Sequence, residues 1–274
     1  MIKAAVFDMD GTILNTIGDL TDSLNYALVE TGHKGGHPEE MVKLCFGWAM
    51  RLDMIKAIAM AKGFSAKDLE LAGNTIPVED IPVTEEEIDG LMAVFTSYYE
   101  SHNQIKTKPY SGIPEVIRTL RKKGIRCAVA SNKDDDHVQI LSKKFFSGLF
   151  DISIGRNPKM AIKPDPEMIL EIARRLDIKA KEIIYIGDSE VDIITGKRGG
   201  FPSISVAWGF RTKKFLKNHG AERIVDKPKD IVEILKSFKW TAGNQQIEKS
   251  TTRKRTYTEK LWPVFPVIQN KNWR

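Results

Sequence analysis

The sequence predicts an α/β protein: a Rossmann-like parallel sheet core carrying an inserted all-helical cap domain. Three observations carry this expectation. The apolar run Ala4-Ala5-Val6-Phe7 stops abruptly at Asp8-Met9-Asp10-Gly11-Thr12. Residues 15–106 show helical periodicity without a convincing strand. From Pro109 onward, short apolar runs alternate with helical segments, the pattern of parallel strands joined by right-handed crossovers.

Taken in order, residues 4–7 read as a buried strand. After Thr12, Leu20, Leu24, Ala27 and Leu28 follow i, i+4, i+7, i+8 spacing, and Gly32 is a natural stop. Further helical stretches cover residues 39–46, 50–62 and 84–101, the last with Ile88, Leu91, Met92, Phe95 and Tyr99 on one face. The βα texture then brings a helix over 113–123, the strand Cys127-Ala128-Val129-Ala130, and a helix from Asp134. Asp134-Asp135-Asp136 read as a helix's first turn, where its dipole favours acids. A short strand at 152–154, a helix at 166–176 and the strand Ile183-Ile184-Tyr185-Ile186 come next, with strands at 204–207 and 223–225 completing the set. The expected division is residues 1–14 and 109–238 for the core and 15–108 for the cap, with hinges near 14–17 and 105–109.

Of the formal charge of +6, a net +5 falls between Trp240 and Arg274, leaving a nearly neutral body. Residues 239–274 therefore read as an appended basic, flexible extension. Docking of Trp262 and Phe265, or nucleic-acid contact through Arg253-Lys254-Arg255, are the alternatives. The four apolar residues before Asp8 are too few for a signal-peptide core or a membrane span. A cytoplasmic protein, monomer or homodimer, is expected. Cys45 and Cys127 lack metal-ligand spacing and read as reduced structural thiols. His33 and His37 read as surface-loop residues.

Side chains at strand ends alternate with period two, so Asp8 and Asp10 leave the first strand on one side and can share a cation. Ser131-Asn132 at the second strand end, Lys163 in the loop after the 152–154 strand, and Asp188 with Asp192 after the Tyr185 strand converge on the same place. Three acids, a hydroxyl and an ammonium suit a phosphate bound with Mg²⁺, a hard cation that prefers oxygen ligands. Attack on an anionic phosphate ester needs its charge neutralised and its atoms aligned. A carboxylate nucleophile divides hydrolysis into two steps, and a second acid protonates the leaving alkoxide and then deprotonates water. Asp8 and Asp10 fit these roles.

Asp8-Met9-Asp10-Gly11-Thr12, the Ser131-Asn132 strand end, Lys163-Pro164-Asp165-Pro166-Glu167 and Gly187-Asp188-Ser189-x-x-Asp192 resemble the four ordered motifs of the haloacid dehalogenase superfamily, over about residues 1–238. Within it, Ile13-Leu14-Asn15-Thr16 and the helical insertion resemble the phosphoglycolate phosphatase-like branch. The resemblance implies Asp8 as nucleophile and Asp10 as general acid/base. It also implies Ser131, Asn132 and Lys163 as phosphate ligands, with Mg²⁺ held by Asp8, the Asp10 carbonyl and Asp188. Asp192 joins them directly or through water, and Glu190, lying between the last two acids, could help orient the metal shell. The family places its substrate-selecting cap loop at Gly47-Trp48-Ala49-Met50-Arg51, so Trp48 and Arg51 are candidate substrate contacts.

The expected activity is Mg²⁺-dependent hydrolysis of a small phosphorylated metabolite, phosphoglycolate-like. Asp10 argues against dehalogenase and phosphonate-hydrolase chemistry in this family. A sugar-phosphate mutase or a pyrophosphatase on the same scaffold remains the alternative. A non-catalytic nucleic-acid-binding or regulatory protein is a further reading, disfavoured by the complete set of acids.

Overall fold

The computed structural model describes residues 1–73 and 75–237, and the expected basic extension lies outside them. In chain order the elements are β1 (Ala4–Phe7), β2 (Leu14–Asn15), α1 (Ile17–Glu30), α2 (Glu39–Cys45), α3 (Met50–Ala61), α4 (Ala66–Leu71) and α5 (Glu85–His102). They continue with β3 (Lys108–Pro109), α6 (Ile113–Lys122), β4 (Arg126–Asp134), α7 (Asp135–Phe146), β5 (Ile152–Arg156) and α8 (Glu167–Leu176). The last are β6 (Ile183–Gly187), α9 (Glu190–Gly199), β7 (Ser203–Val206), α10 (Lys213–Asn218), β8 (Ile224–Val225) and α11 (Pro228–Ser237).

Six strands form one sheet in the order β5-β4-β1-β6-β7-β8, and every pair in it is parallel. β1 is central, with Ala4 opposite Arg126 and Ile183, and Phe7 opposite Val129 and Ile186. A strand flanked on both sides and covered on both faces has no solvated residue, which is why its sequence is a continuous apolar run. Its side chains alternate between two cores. Ala5 and Phe7 join the cluster built with α6, α7 and α11, whereas Ala4 and Val6 join the one built with α8. Asp8 therefore emerges at the carboxyl edge of the sheet, where ligands of open α/β sheets bind.

The helices α1–α5 gather around an apolar cluster of their own, including Leu20, Leu24, Leu28, Ile58, Leu91 and Phe95. One residue from outside, Phe210, enters it. Thr84 opens α5 through a capping box with Glu87, so the long helix begins where its first orphan N–H groups are satisfied. Where the chain leaves and re-enters the sheet core, β2 and β3 pair antiparallel, with Leu14 opposite Pro109 and Asn15 opposite Lys108. The Asp19 carboxylate fastens the two passages, accepting the Lys106 N–H (2.7 Å), the Thr107 N–H (2.9 Å) and the Thr107 hydroxyl (2.7 Å).

Helices α4, α10 and α11 are additions to what the periodicity suggested. Both cysteines are free and buried. Among the described residues, no helix is long and apolar enough to cross a membrane.

Candidate active site

The chain reverses immediately after β1: the N–H groups of Thr12, Ile13 and Leu14 all point to the Met9 carbonyl. Gly11 takes φ +79°, and a Cβ there would stand 2.3 Å from an Asp188 carboxylate oxygen, so only glycine admits both the turn and this approach. Gly209 is equally constrained, since a Cβ would meet Asp188 Cβ and the Gly11 carbonyl at 2.4 Å. Two backbones thus close on one carboxylate. Asp188 is fixed between them, accepting from Thr12 Oγ1 (3.0 Å) and the Phe210 N–H (2.7 Å).

Asp8, Asp188 and Asp192 are all buried, and each offers a carboxylate oxygen within 4.8 Å of the others. Lys163 Nζ lies 2.7 Å from Asp8 Oδ1 and 2.9 Å from Asp192 Oδ1, and it also donates to the Tyr185 hydroxyl at 3.0 Å. That hydroxyl in turn donates to Asp192 Oδ1 at 2.6 Å, while Ser189 holds Asp192 Oδ2 through its N–H (3.1 Å) and hydroxyl (2.6 Å).

The electrostatic consequence is a division of roles among three buried acids. Burial pushes the Asp8 carboxyl up to about 7 against the pull of Lys163, with Asp192 and Asp10 adding repulsion. Asp188 is raised well above the usual carboxylate range by burial and by its two acidic neighbours. Asp192 is opposed by burial yet ends below that range, because Lys163, Ser189 and Tyr185 all favour its charge. Lys163 also loses by burial and regains more from Asp192 and Asp8, remaining a cation. One ammonium does not balance three carboxylates. An oxygen-only donor set with excess negative charge fits a hard divalent cation such as Mg²⁺.

A cavity of about 90 Å³ opens on these groups, bordered by Asp8, Asp10, Ser131, Lys163 and Asp188 from the core and by Phe46, Trp48 and Tyr99 from the helical cluster. Asp10 stands at its edge, where Lys133 Nζ donates to both carboxylate oxygens (3.3 and 3.2 Å) and to the Tyr99 hydroxyl (2.7 Å). Sequence reasoning missed Lys133 and Tyr99. The available signal was a lysine directly following Ser131-Asn132 at a strand end.

The other candidates divide. Ser131 is buried at the cavity, its hydroxyl accepting the Lys133 N–H at 3.3 Å. The Asn132 side chain is committed to protein: it donates to the Trp48 and Lys163 carbonyls (2.7 and 3.0 Å) and accepts the Lys163 N–H (2.9 Å). It shapes the lysine loop, and Asn132 borders the cavity. Trp48 borders the cavity, but its ring N–H donates to Glu190 at 2.7 Å. Arg51 is a correction: it does not reach the cavity, because α3 begins one residue earlier and turns it outward to the surface acids Glu85 and Asp89. Glu190 does not join the acid triad either; it pairs with Arg211.

Residues 5–206 match the family model described as haloacid dehalogenase-like hydrolase. A phosphoglycolate phosphatase of Mannheimia succiniciproducens is 27% identical over 234 residues, covering 85% of this chain and 98% of its own length. An N-acetylmuramic acid 6-phosphate phosphatase of Pseudomonas aeruginosa is also 27% identical, over 236 residues, with 85% and 95% covered. Among solved structures, a candidate phosphoglycolate phosphatase from Lactobacillus delbrueckii subsp. bulgaricus superposes with a TM-score of 0.82 at 41% identity, covering 85% of this chain and 98% of that one.

Proposed function

The chain belongs to the haloacid dehalogenase-like hydrolase family, in its phosphoglycolate phosphatase-like branch, and is a phosphoric monoester hydrolase; from that premise we propose that it is Mg²⁺-dependent, acts on a small phosphorylated metabolite of the phosphoglycolate kind, and passes through an aspartyl-phosphate at Asp8. One observation carries the reading: the Asp8 carboxylate sits at the tip of the central strand, facing the cavity, with a lysine on one of its oxygens and two further acids beside it. Asp8, Asp188 and the backbone carbonyl of Asp10 would hold the ion, with Asp192 joining them directly or through water. Bound there, Mg²⁺ supplies positive charge to the phosphoryl oxygens and keeps Asp8 ionised.

The protein's own groups do the rest. One oxygen of the Asp8 carboxylate is the nucleophile, forming the O–P bond as the ester O–P bond breaks, while Lys163 pairs with that carboxylate through Oδ1. Lys163 and Ser131 stabilise the charge on the transferring phosphoryl group. Asp10 gives its proton to the leaving alkoxide, then takes one from the water that attacks the acyl phosphate, releasing inorganic phosphate and restoring Asp8. Lys133 holds Asp10 at the cavity edge between these steps. The roof formed by Phe46, Trp48 and Tyr99 limits the leaving group to a small one.

The test is phosphate release from a panel of phosphorylated metabolites with and without Mg²⁺: phosphoglycolate, hexose phosphates, nucleotides and pyrophosphate. Mg²⁺-dependent turnover of a small monoester, abolished in Asp8→Asn, is expected. Turnover that is indifferent to the metal or to that substitution refutes the reading.

A further inference from the structure

Phe46, Gly47 and Trp48 roof the cavity, and three side chains of the sheet core hold them there. Arg211 donates to the carbonyls of Lys43 (2.6 Å) and Phe46 (2.9 Å) while its Nε and Nη2 pair with Glu190 at 2.8 and 3.2 Å. Glu190 uses Oε1 a second time to accept the Trp48 ring N–H at 2.7 Å. Asn132 donates to the Trp48 carbonyl at 2.7 Å. Gly47 takes φ +127°, and a Cβ on it would be in ordinary contact with an Arg211 nitrogen at 3.4 Å. Arg211 and Glu190 are both almost completely buried.

The placement of these three in the chain matters as much as their bonds. Asn132 directly follows Ser131, and Glu190 lies between Asp188 and Asp192. Arg211 follows Phe210, whose N–H is bound to Asp188. Asn132 and Glu190 are thus one or two residues from groups that the proposed function assigns to phosphate or metal, and Arg211 is one residue from the N–H that fixes Asp188. A buried ion pair is weak evidence for stability, because desolvation cancels much of its attraction. This pair spends its remaining hydrogen-bonding capacity across the gap to the roof loop.

We propose that Arg211 and Glu190 are positioning residues that set the 46–48 roof over the phosphoryl site, with the Trp48 indole N–H as the handle they grip. Trp48 then serves as the attachment point of the roof, and leaving-group binding depends on core residues that never touch the substrate. This rests on the phosphatase reading.

The test uses the full chain with Mg²⁺, p-nitrophenyl phosphate and 2-phosphoglycolate as probes, and two variants. Trp48→Phe deletes the N–H and keeps an aromatic ring; Arg211→Lys keeps the charge and loses the fork that spans two carbonyls. A displaced roof weakens ground-state and transition-state binding alike, so KM rises at least fivefold in each variant while kcat stays within threefold. The Mg²⁺ activation midpoint stays within twofold, and the double variant's KM rise falls short of the product of the single ones, since a loop already released has nothing further to lose. A merely structural pair lowers the melting temperature without this split. KM within twofold of wild type in Trp48→Phe overturns the proposal, and that variant decides it even if Arg211→Lys does not fold. A Mg²⁺ midpoint that shifts in step with KM also overturns it, by placing the effect on the metal acids. A wild-type protein that hydrolyses neither probe removes the phosphatase reading and this proposal together, an outcome distinct from the other two.

Discussion

Lys163 Nζ stands 2.7 Å from Asp8 Oδ1, with both groups withdrawn from solvent. This contact sets opposite fates for two substitutions. Asp8→Asn leaves Lys163 paired with Asp192, so the fold holds, with stability within about 1 kcal/mol of wild type, while turnover is lost. Lys163→Met leaves Asp8 and Asp192 as neighbouring buried acids with no cation between them, and breaking such a pair costs about 3–5 kcal/mol. Urea unfolding alongside phosphate release separates the two; a fully active Asp8→Asn protein removes the nucleophile assignment.

Asp188→Asn relieves the repulsion that lifts this carboxyl so far from its usual range, after burial itself. Without divalent cation, the variant therefore melts no earlier than wild type. With Mg²⁺ the order reverses: wild type gains about 2.7 kcal/mol at a hundredfold excess over its dissociation constant, and the variant gains little. Melting curves with and without Mg²⁺ check both signs, and an equal Mg²⁺ shift in the variant rules Asp188 out as a ligand.

Asp8 and Asp188 were legible in the sequence because each comes after an uninterrupted apolar run, and a strand buried on both faces delivers the residues beyond its tip to one edge of the sheet. The parallel order could be read for the same reason. Lys133–Tyr99 and Glu190–Arg211 could not, since the pairings join residues 34 and 21 positions apart, each bringing a helix residue against one on a strand or loop that only the folded chain puts beside it. Helices α4 and α10, six residues each, are too short to display a period. α11 does carry apolar residues at helical spacing, Ile231 and Leu235 among them, and was legible in principle. Arg51 misled by adjacency: it stands three residues from Trp48 in the chain but on the first turn of α3, facing away.

Arg51→Ala consequently tests that placement. Its partners are exposed acids on α5, where ion pairs contribute at most about 1 kcal/mol. KM and kcat for the best substrate should stay within twofold of wild type, and a tenfold rise in KM would return Arg51 to the substrate site.

Lys133→Met deprives the Asp10 carboxylate of the cation that pairs with it among the described residues, and withdraws the partner of the Tyr99 hydroxyl. Positioned acid/base groups contribute 10²–10⁴-fold, so a kcat loss of about 10–100-fold is expected from loosening one without removing it. Tyr99→Phe removes a single hydrogen bond to Lys133 and should cost only a few-fold. Steady-state kinetics on both variants checks the ranking; a larger loss in Tyr99→Phe would make the tyrosine, and not the lysine, the group that matters.

Asp53, on α3, makes stability depend on pH. Burial lifts its carboxyl to about 8, outweighing Lys56, the Trp48 N–H that it accepts at 3.3 Å, and Arg211. The folded protein therefore keeps this proton up to about pH 8, whereas the unfolded chain gives it up near the ordinary carboxylate value of 3.8. Between those limits the native state binds the extra proton, so its contribution is complete below about pH 4 and is lost as pH rises through 8. Asp53→Asn keeps the acceptor for Trp48 and removes the titration. The stability of wild type relative to this variant should fall with pH by at most about 1.4 kcal/mol per pH unit across that window and level off on either side. Denaturant unfolding of the two proteins at a series of pH values measures the difference directly, and a difference that rises with pH, or shows no slope, would mean that Asp53 is ionised in the native protein.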